Sequence, residues 1–207
     1  MLKKQDVLVY DCETTKLSNE VRGGWNNVEG MGLASAVVYS YNQDRYYTFL
    51  HPRSREKLIK LLHDNICVSF NGVCFDSKLI LGNGRLINQD INHLWVSRNQ
   101  ARWIEFDLFL KIQKVMNRCR NDLESIGKRI AKGASLDNTC KLTIGMKKNE
   151  KGANAPLLYR QKRYDELLQY NLNDVRMTRQ LLEFQQKNNF VTTARKQRVN
   201  FNEPKII

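Results

Sequence analysis

The stretch VLVYDCETT, residues 7–15, constrains this chain more than any other. Three β-formers lead into Tyr10 and then into two carboxylates, Asp11 and Glu13, one residue apart. A strand sends alternate side chains to opposite faces, so Asp11 and Glu13 project one way and Cys12 the other. Two like charges side by side at the end of a buried strand are unfavourable unless a proton or a cation relieves them. A divalent cation is the natural relief, because hard ions such as Mg²⁺ take oxygen ligands and commonly use only one or two protein carboxylates. On its own, so short a motif is also compatible with a solvated strand end carrying two surface acids.

With 207 residues, 42% of them hydrophobic, the chain can bury one sizeable core, and a single domain over residues 1–207 is expected. The formal charge of +13, from 34 Lys and Arg against 21 Asp and Glu, favours an acidic polymer as partner and electrostatic steering toward it. No stretch approaches the roughly 20 apolar residues of a membrane-spanning helix. The N-terminus MLKKQDVLVY does not read as a signal peptide, so the expected compartment is the cytoplasm, with no membrane partner. Five scattered cysteines with no C-x-x-C pair, and three histidines, suggest neither a disulfide framework nor a structural zinc site.

Along the chain, the polar segment after the opening strand contains Gly23 and Gly24 before Trp25 and reads as a loop that can bring backbone close to a ligand. Residues 32–41 and 45–50 read as strands joined by a turn at Asn42, Gln43 and Asp44, making a meander with the first strand. A short helix follows Ser54, then an apolar strand at 66–70 and a helix at 75–81 that Gly82 closes. Residues 85–101 give no clear pattern, 102–106 reads as a fifth strand, and Asp107 opens a helix, where a carboxylate suits the N-terminal dipole. Another helix is expected from Asn121, then a basic polar loop at about 133–156, a closing helix over about 161–186, and a polar tail at about 187–207. This order predicts an α/β fold around a central mixed sheet.

Two further groups carry chemistry. NGVCFD places Asn71, Phe75 and Asp76 directly after an apolar strand, at the carboxyl edge where open α/β sheets bind ligands. In YNLNDV, Tyr170 and Asp174 are four residues apart and share one side of the closing helix, beside an apolar arc of Leu167, Leu168, Val175, Thr178 and Leu182. Asp76 alone reads as a helix cap, and Tyr170 with Asp174 alone as a buried phenol beside a solvated acid. A cluster of cations, Lys147, Lys148, Lys151, Arg160, Lys162 and Arg163, precedes the closing helix and could track phosphates or merely be solvated.

Taken in order, VYDCETT, NGVCFD and YNLNDV resemble the motifs of the DEDD exonuclease superfamily, tyrosine subclass, and the chain looks closest to stand-alone relatives of family B DNA polymerase proofreading domains. The resemblance covers about residues 6–185 and implies a ribonuclease-H-like fold, a five-stranded mixed sheet flanked by helices on both faces. It further implies a 3'-to-5' exonuclease acting on single-stranded nucleic acid, DNA or RNA, through two divalent ions, Mg²⁺ or Mn²⁺. Asp11, Glu13 and Asp174 would hold the metal that activates water, Asp11 would bridge to a second metal near Asp76, and Tyr170 would orient the water. Trp25, Asn71 and the cationic cluster are the expected nucleic-acid contacts. A non-catalytic nucleic-acid-binding module and an endonuclease or junction-cleaving enzyme on the same fold are the alternatives.

Overall fold

The computed structural model describes residues 5–51, 53–82, 85–89, 92–96, 101–117, 134–148, 154–193, 198–201 and 205–207. Its central strand is β1 (Val7–Thr14), whose Leu8, Val9 and Tyr10 are fully buried. A strand covered on both faces needs a continuous apolar run rather than an alternating one, which is what VLVY supplies. β2 (Leu33–Ser40) and β3 (Arg45–Leu50) extend from β1 as the antiparallel meander. On its other side β1 runs parallel to β4 (Ile66–Ser69), and β4 runs parallel to β7 (Arg102–Asp107).

These five strands form the expected mixed sheet. Residues 85–101 then add a hairpin, β5 (Arg85–Gln89) and β6 (Asn92–Val96), to the free edge of β7, giving the order β3-β2-β1-β4-β7-β6-β5. The hairpin escapes sequence reading because Asn and Gln, poor strand formers, occupy several of its positions.

Helices cover both faces. α1 (Arg55–Leu62) and α2 (Asp76–Leu81) lie on the face to which Tyr10, Cys67 and Glu105 point, where Cys67 Sγ reaches Leu62 O and Tyr10 Oη meets Ser77 Oγ. The opposite face carries the longest helix, α6 (Tyr164–Asn188), which packs on β1 and β2. Its buried arc includes Leu167, Tyr170, Asp174, Val175, Thr178 and Leu182, the stripe that its 3.6-residue period predicts. α3 (Leu108–Asn117) follows β7 directly.

Three expectations are corrected. The basic loop at 133–156 contains a helix, α4 (Leu136–Ile144): Ser135 Oγ accepts from Asn138 N, and Leu136, Thr139 and Cys140 bury one side at helical spacing. A separate short helix, α5 (Ala155–Arg160), starts with Pro156 in its first turn, so the closing helix begins at Tyr164 rather than 161. The polar tail folds as well, into a hairpin of β8 (Phe190–Thr192) and β9 (Arg198–Asn200) that buries Val191, Val199 and Phe201. The helix expected from Asn121 lies outside the described residues. Among the described residues, no helix is long and apolar enough to cross a membrane.

Candidate metal centre

The geometry of the site follows from the unequal partners of β1. Its pairing with β4 ends at Val9 opposite Val68, whereas its pairing with β2 continues to Thr14 opposite Leu33. Beyond Val9 the sheet is open on the β4 side. There the Cys12 backbone N–H, which would otherwise meet no strand, donates to Asp76 Oδ1 at 2.8 Å, so α2 closes the gap with its first residue. Opposite the step from Glu13 to Thr14 the register shifts, and one extra residue of β2, Ala34, is accommodated. Such irregularities bend a strand end and re-aim its side chains.

Asp11 and Glu13 project from this end of β1 toward α6, which brings Asp174. One carboxylate oxygen from each of Asp11, Glu13 and Asp174 lies within 4.8 Å of the others, and this acidic cluster could hold a metal ion. Asp76 stands beside the cluster rather than in it, with one oxygen committed to Cys12 N. Burial raises the pKa of Asp11 well above the ordinary range, with the Asp76 and Asp174 charges adding to it and Lys148 and Asn171 opposing it. Burial, then Asp11 and Asp174, raise Glu13 in the same way. Asp174 is raised by burial and held down by Lys148. Three hard oxygen donors, crowded and short of positive charge, are the kind of set that could hold a metal cation.

Three neighbours complete the centre. The Lys148 ammonium bonds Asp174 Oδ2 and lies 5.6 Å from the centroid of the Tyr170 ring, so a protein cation already answers part of the cluster's charge. Asn171, fully buried, donates from Nδ2 to Asp11 Oδ2 at 2.6 Å. Among the described residues the buried Tyr170 hydroxyl makes no hydrogen bond of ordinary geometry, although it lies close enough to Asp174 to help hold that carboxylate's pKa down. A donor so placed beside three metal-type ligands fits a water or ligand held between them.

Behind the cluster, on the α2 face, lie two more buried acids. Glu105 accepts from Tyr10 Oη at 3.0 Å, Ser69 Oγ at 2.5 Å, Ser77 Oγ at 3.2 Å and Trp103 Nε1 at 2.7 Å. Burial nevertheless pushes its pKa up to about 8. Asp107 accepts backbone N–H bonds from Asn71, Val73, Phe109 and Leu110, so it caps α3 and pins the loop ahead of Asp76 at once. Burial outweighs those bonds and raises it to about 6.

Glu105 and Asn171 are absent from the sequence-level candidates, and Asp107 enters there only as a helix-start carboxylate, a role its bonds from Phe109 and Leu110 N–H bear out; each carries a further signal. Glu105 and Asp107 repeat, on β7, the acid-x-acid spacing of β1, and Asn171 sits three residues before Asp174 on the same helical face.

The expected nucleic-acid contacts are dispersed. Lys148 joins the acidic cluster, Arg160 pairs with Glu20, and Arg163 forks onto Glu166. Lys147 and Lys162 are exposed, and Lys151 lies outside the described residues. Asn71 adopts a left-handed backbone, φ 76°, and gives its N–H to Asp107. Trp25 is 70% exposed, with its ring 6.0 Å from that of Phe75.

No protein-family model matches this chain, and no curated protein matches it either.

Proposed function

We propose that the chain is a metal-dependent 3'-to-5' exonuclease of the DEDD superfamily, tyrosine subclass, which hydrolyses phosphodiester bonds of single-stranded nucleic acid and releases nucleoside 5'-monophosphates. The observation that carries this reading is the convergence of Asp11, Glu13 and Asp174 within 4.8 Å beside the buried hydroxyl of Tyr170. Asp11, Glu13 and Asp174 would hold one divalent ion, and Asp11 with Asp76 a second. Two such ions neutralise an anionic phosphodiester and lower the pKa of water enough to make it a nucleophile at neutral pH.

The chain's own groups do the positioning. Tyr170 has its pKa raised by burial and then by Asp174 and Glu13, so the phenol stays protonated and acts as a hydrogen-bond donor or acceptor that orients water, not as a base. Asn171 fixes the rotamer of Asp11, the acid that both metal positions would share. Asp107 and Glu105 hold the segment that carries Asp76.

The test is release of mononucleotides from a 3'-labelled oligonucleotide in Mg²⁺ or Mn²⁺. Binding without release under both metals would leave a non-catalytic binding module and overturn the proposal. Cutting of a circular single strand would instead make the protein an endonuclease. Asp11→Ala and Asp174→Ala are expected to abolish turnover, and Tyr170→Phe to slow it while metal binding persists.

A further inference from the structure

The C-terminal half of α6 carries charge on a face that the acidic cluster does not use. Arg176, Arg179, Glu183 and Lys187 recur at intervals of three and four residues, so the helical period stacks them on one side. Along that side lies a cleft of about 590 Å³, walled by α6, by Tyr46 of β3 and by Ile144 at the end of α4. Its size is that of a small-molecule site, for which roughly 300–1,000 Å³ is usual. Glu183, on its wall, stands roughly 14 Å along the helix axis from Asp174, at about 1.5 Å per residue.

One wall presents a fixed cation. The Arg179 guanidinium stacks on Tyr39, 3.9 Å from the ring centroid, while Nε donates to Glu183 Oε1 at 2.8 Å and Nη1 to Tyr46 Oη at 3.4 Å. Its Nη2 has no hydrogen-bond partner among the described residues. A guanidinium held in this way has lost its rotamer freedom before any ligand arrives, so an oxyanion meets a preorganised fork. Lys187 lines the same cleft, and Arg176 stands at its rim, 5.7 Å from the Tyr46 ring centroid. Both are exposed, and neither has an ion-pair partner among the described residues. Because Arg179 already answers the Glu183 charge, the cleft keeps a positive surplus.

The rest of the lining is aromatic or hydrogen-bonding. Tyr46 and Phe184 supply rings, and Phe184 is braced from behind by an edge contact with Phe190 at 5.3 Å. Two acceptor atoms remain open among the described residues. Glu183 Oε1 takes both Arg179 and the Tyr41 hydroxyl, which leaves Oε2, and Asn188 donates from Nδ2 to Phe184 O at 2.9 Å, which leaves Oδ1. We propose that this cleft binds a nucleoside 5'-phosphate, with the base against the aromatic wall and the phosphate on Arg179 and Lys187. The two open acceptors suit a sugar hydroxyl and a base N–H. A bare anion would leave the rings unused, and an uncharged ring would leave the cations unused. The site shares no residue with the acidic cluster and does not depend on the nuclease reading.

The experiment is calorimetric titration of the whole protein with adenosine 5'-monophosphate, adenosine and inorganic phosphate in turn. EDTA is present throughout, so that no metal at the acidic cluster can recruit phosphate. The nucleotide is expected to saturate a single site, with adenosine and phosphate each binding at least about tenfold more weakly. Lys187→Gln removes one charge-assisted bond and should weaken the nucleotide about tenfold, leaving adenosine unchanged. Lys187 is exposed, so this variant is expected to fold, which its melting curve checks. Asp174→Ala should bind the nucleotide as the wild type does.

Absence of saturable binding by the mono-, di- and triphosphate alike would overturn the proposal, as would equal affinity in Lys187→Gln. Phosphate binding as tightly as the nucleotide would reduce the cleft to an anion site, and adenosine doing so would reduce it to an apolar one. Loss of binding in Asp174→Ala but not in Lys187→Gln would move the ligand to the acidic cluster and refute the assignment of this cleft.

Discussion

Replacing Asp11 by Asn removes one charge from the acidic cluster without changing its shape, and the structure gives the size of the effect. Two unit charges 4.8 Å apart, the outer limit of separation in this cluster, repel by about 3.5 kcal/mol at an effective dielectric of about 20. Asp11 faces two such neighbours, Glu13 and Asp174, and Lys148 offsets part of their charge. The wild type can also escape by binding a proton, which the raised pKa values of Asp11 and Glu13 express. The relief on substitution is therefore about 1–3 kcal/mol, or roughly 3–10 °C in Tm for a domain of this size. Asn can still accept the Asn171 bond through its carbonyl oxygen.

In EDTA near neutral pH, Asp11→Asn is thus expected to melt above the wild type. Because the folded pKa values lie above the unfolded ones, the penalty it removes is absent below the unfolded carboxylate range and grows as pH rises. The two melting curves should then converge toward acid pH. Adding Mn²⁺ at about a hundred times its Kd stabilises the wild type by about 2.7 kcal/mol, and the variant should lose most of that gain. Calorimetry across pH, with and without metal, measures both effects. A variant that melts lower without metal, or that keeps the full metal-induced shift, would refute the cluster as a metal centre.

Three further substitutions test its surroundings. Lys148→Met leaves Asp174 without its cation, so the metal-free protein should lose about 1–3 kcal/mol while Mn²⁺ binds more tightly, read by calorimetric titration. Glu105, raised from its ordinary value to about 8, favours the folded state fully below pH about 4.5, and that contribution disappears as pH rises through about 8. Glu105→Gln should flatten the Tm profile across that window, and an unchanged slope would assign the pH dependence elsewhere. Asp107→Ala strands four backbone N–H groups and should cost about 2–4 kcal/mol, with faster amide exchange at Asn71 and Val73 in the folded protein.

What was legible in the sequence is what short-range periodicity encodes. β1 through β4 and β7 are apolar runs bounded by turn residues, and α6 carries a long helical stripe, so their types follow from local pattern. α4 was hidden because its exposed positions carry the Asn, Asp and Lys that also make loops, and only Leu136, Thr139 and Cys140 betray its buried side. The hairpin β8 and β9 was hidden because three-residue strands are too short to show an alternation. Lys148 could be read as one more cation in a basic run, since nothing local distinguishes it from Lys147. Only the packing of α4 against α6, with Asp137 accepting the Lys148 N–H, separates a lysine at Asp174 from one in solvent.

The same contrast explains why the acids themselves could be found. Asp11 and Glu13 share a face by strand period, and Tyr170, Asn171 and Asp174 share one by helical period, so each set is fixed within its own element. What brings the sets together is a property of no single element: β1 keeps its antiparallel partner for five residues after its parallel partner has ended. That mismatch leaves the Cys12 N–H to Asp76, opens the crevice, and lets α6 cross the strand end with Asp174 facing it. A buried acid costs stability wherever it sits, and for Asp11 and Glu13 that cost falls where β1 has lost its parallel partner. A bound cation would both relieve that cost and close the gap, so the crowding of the acids and the proposed metal site have a single origin in the length of β1.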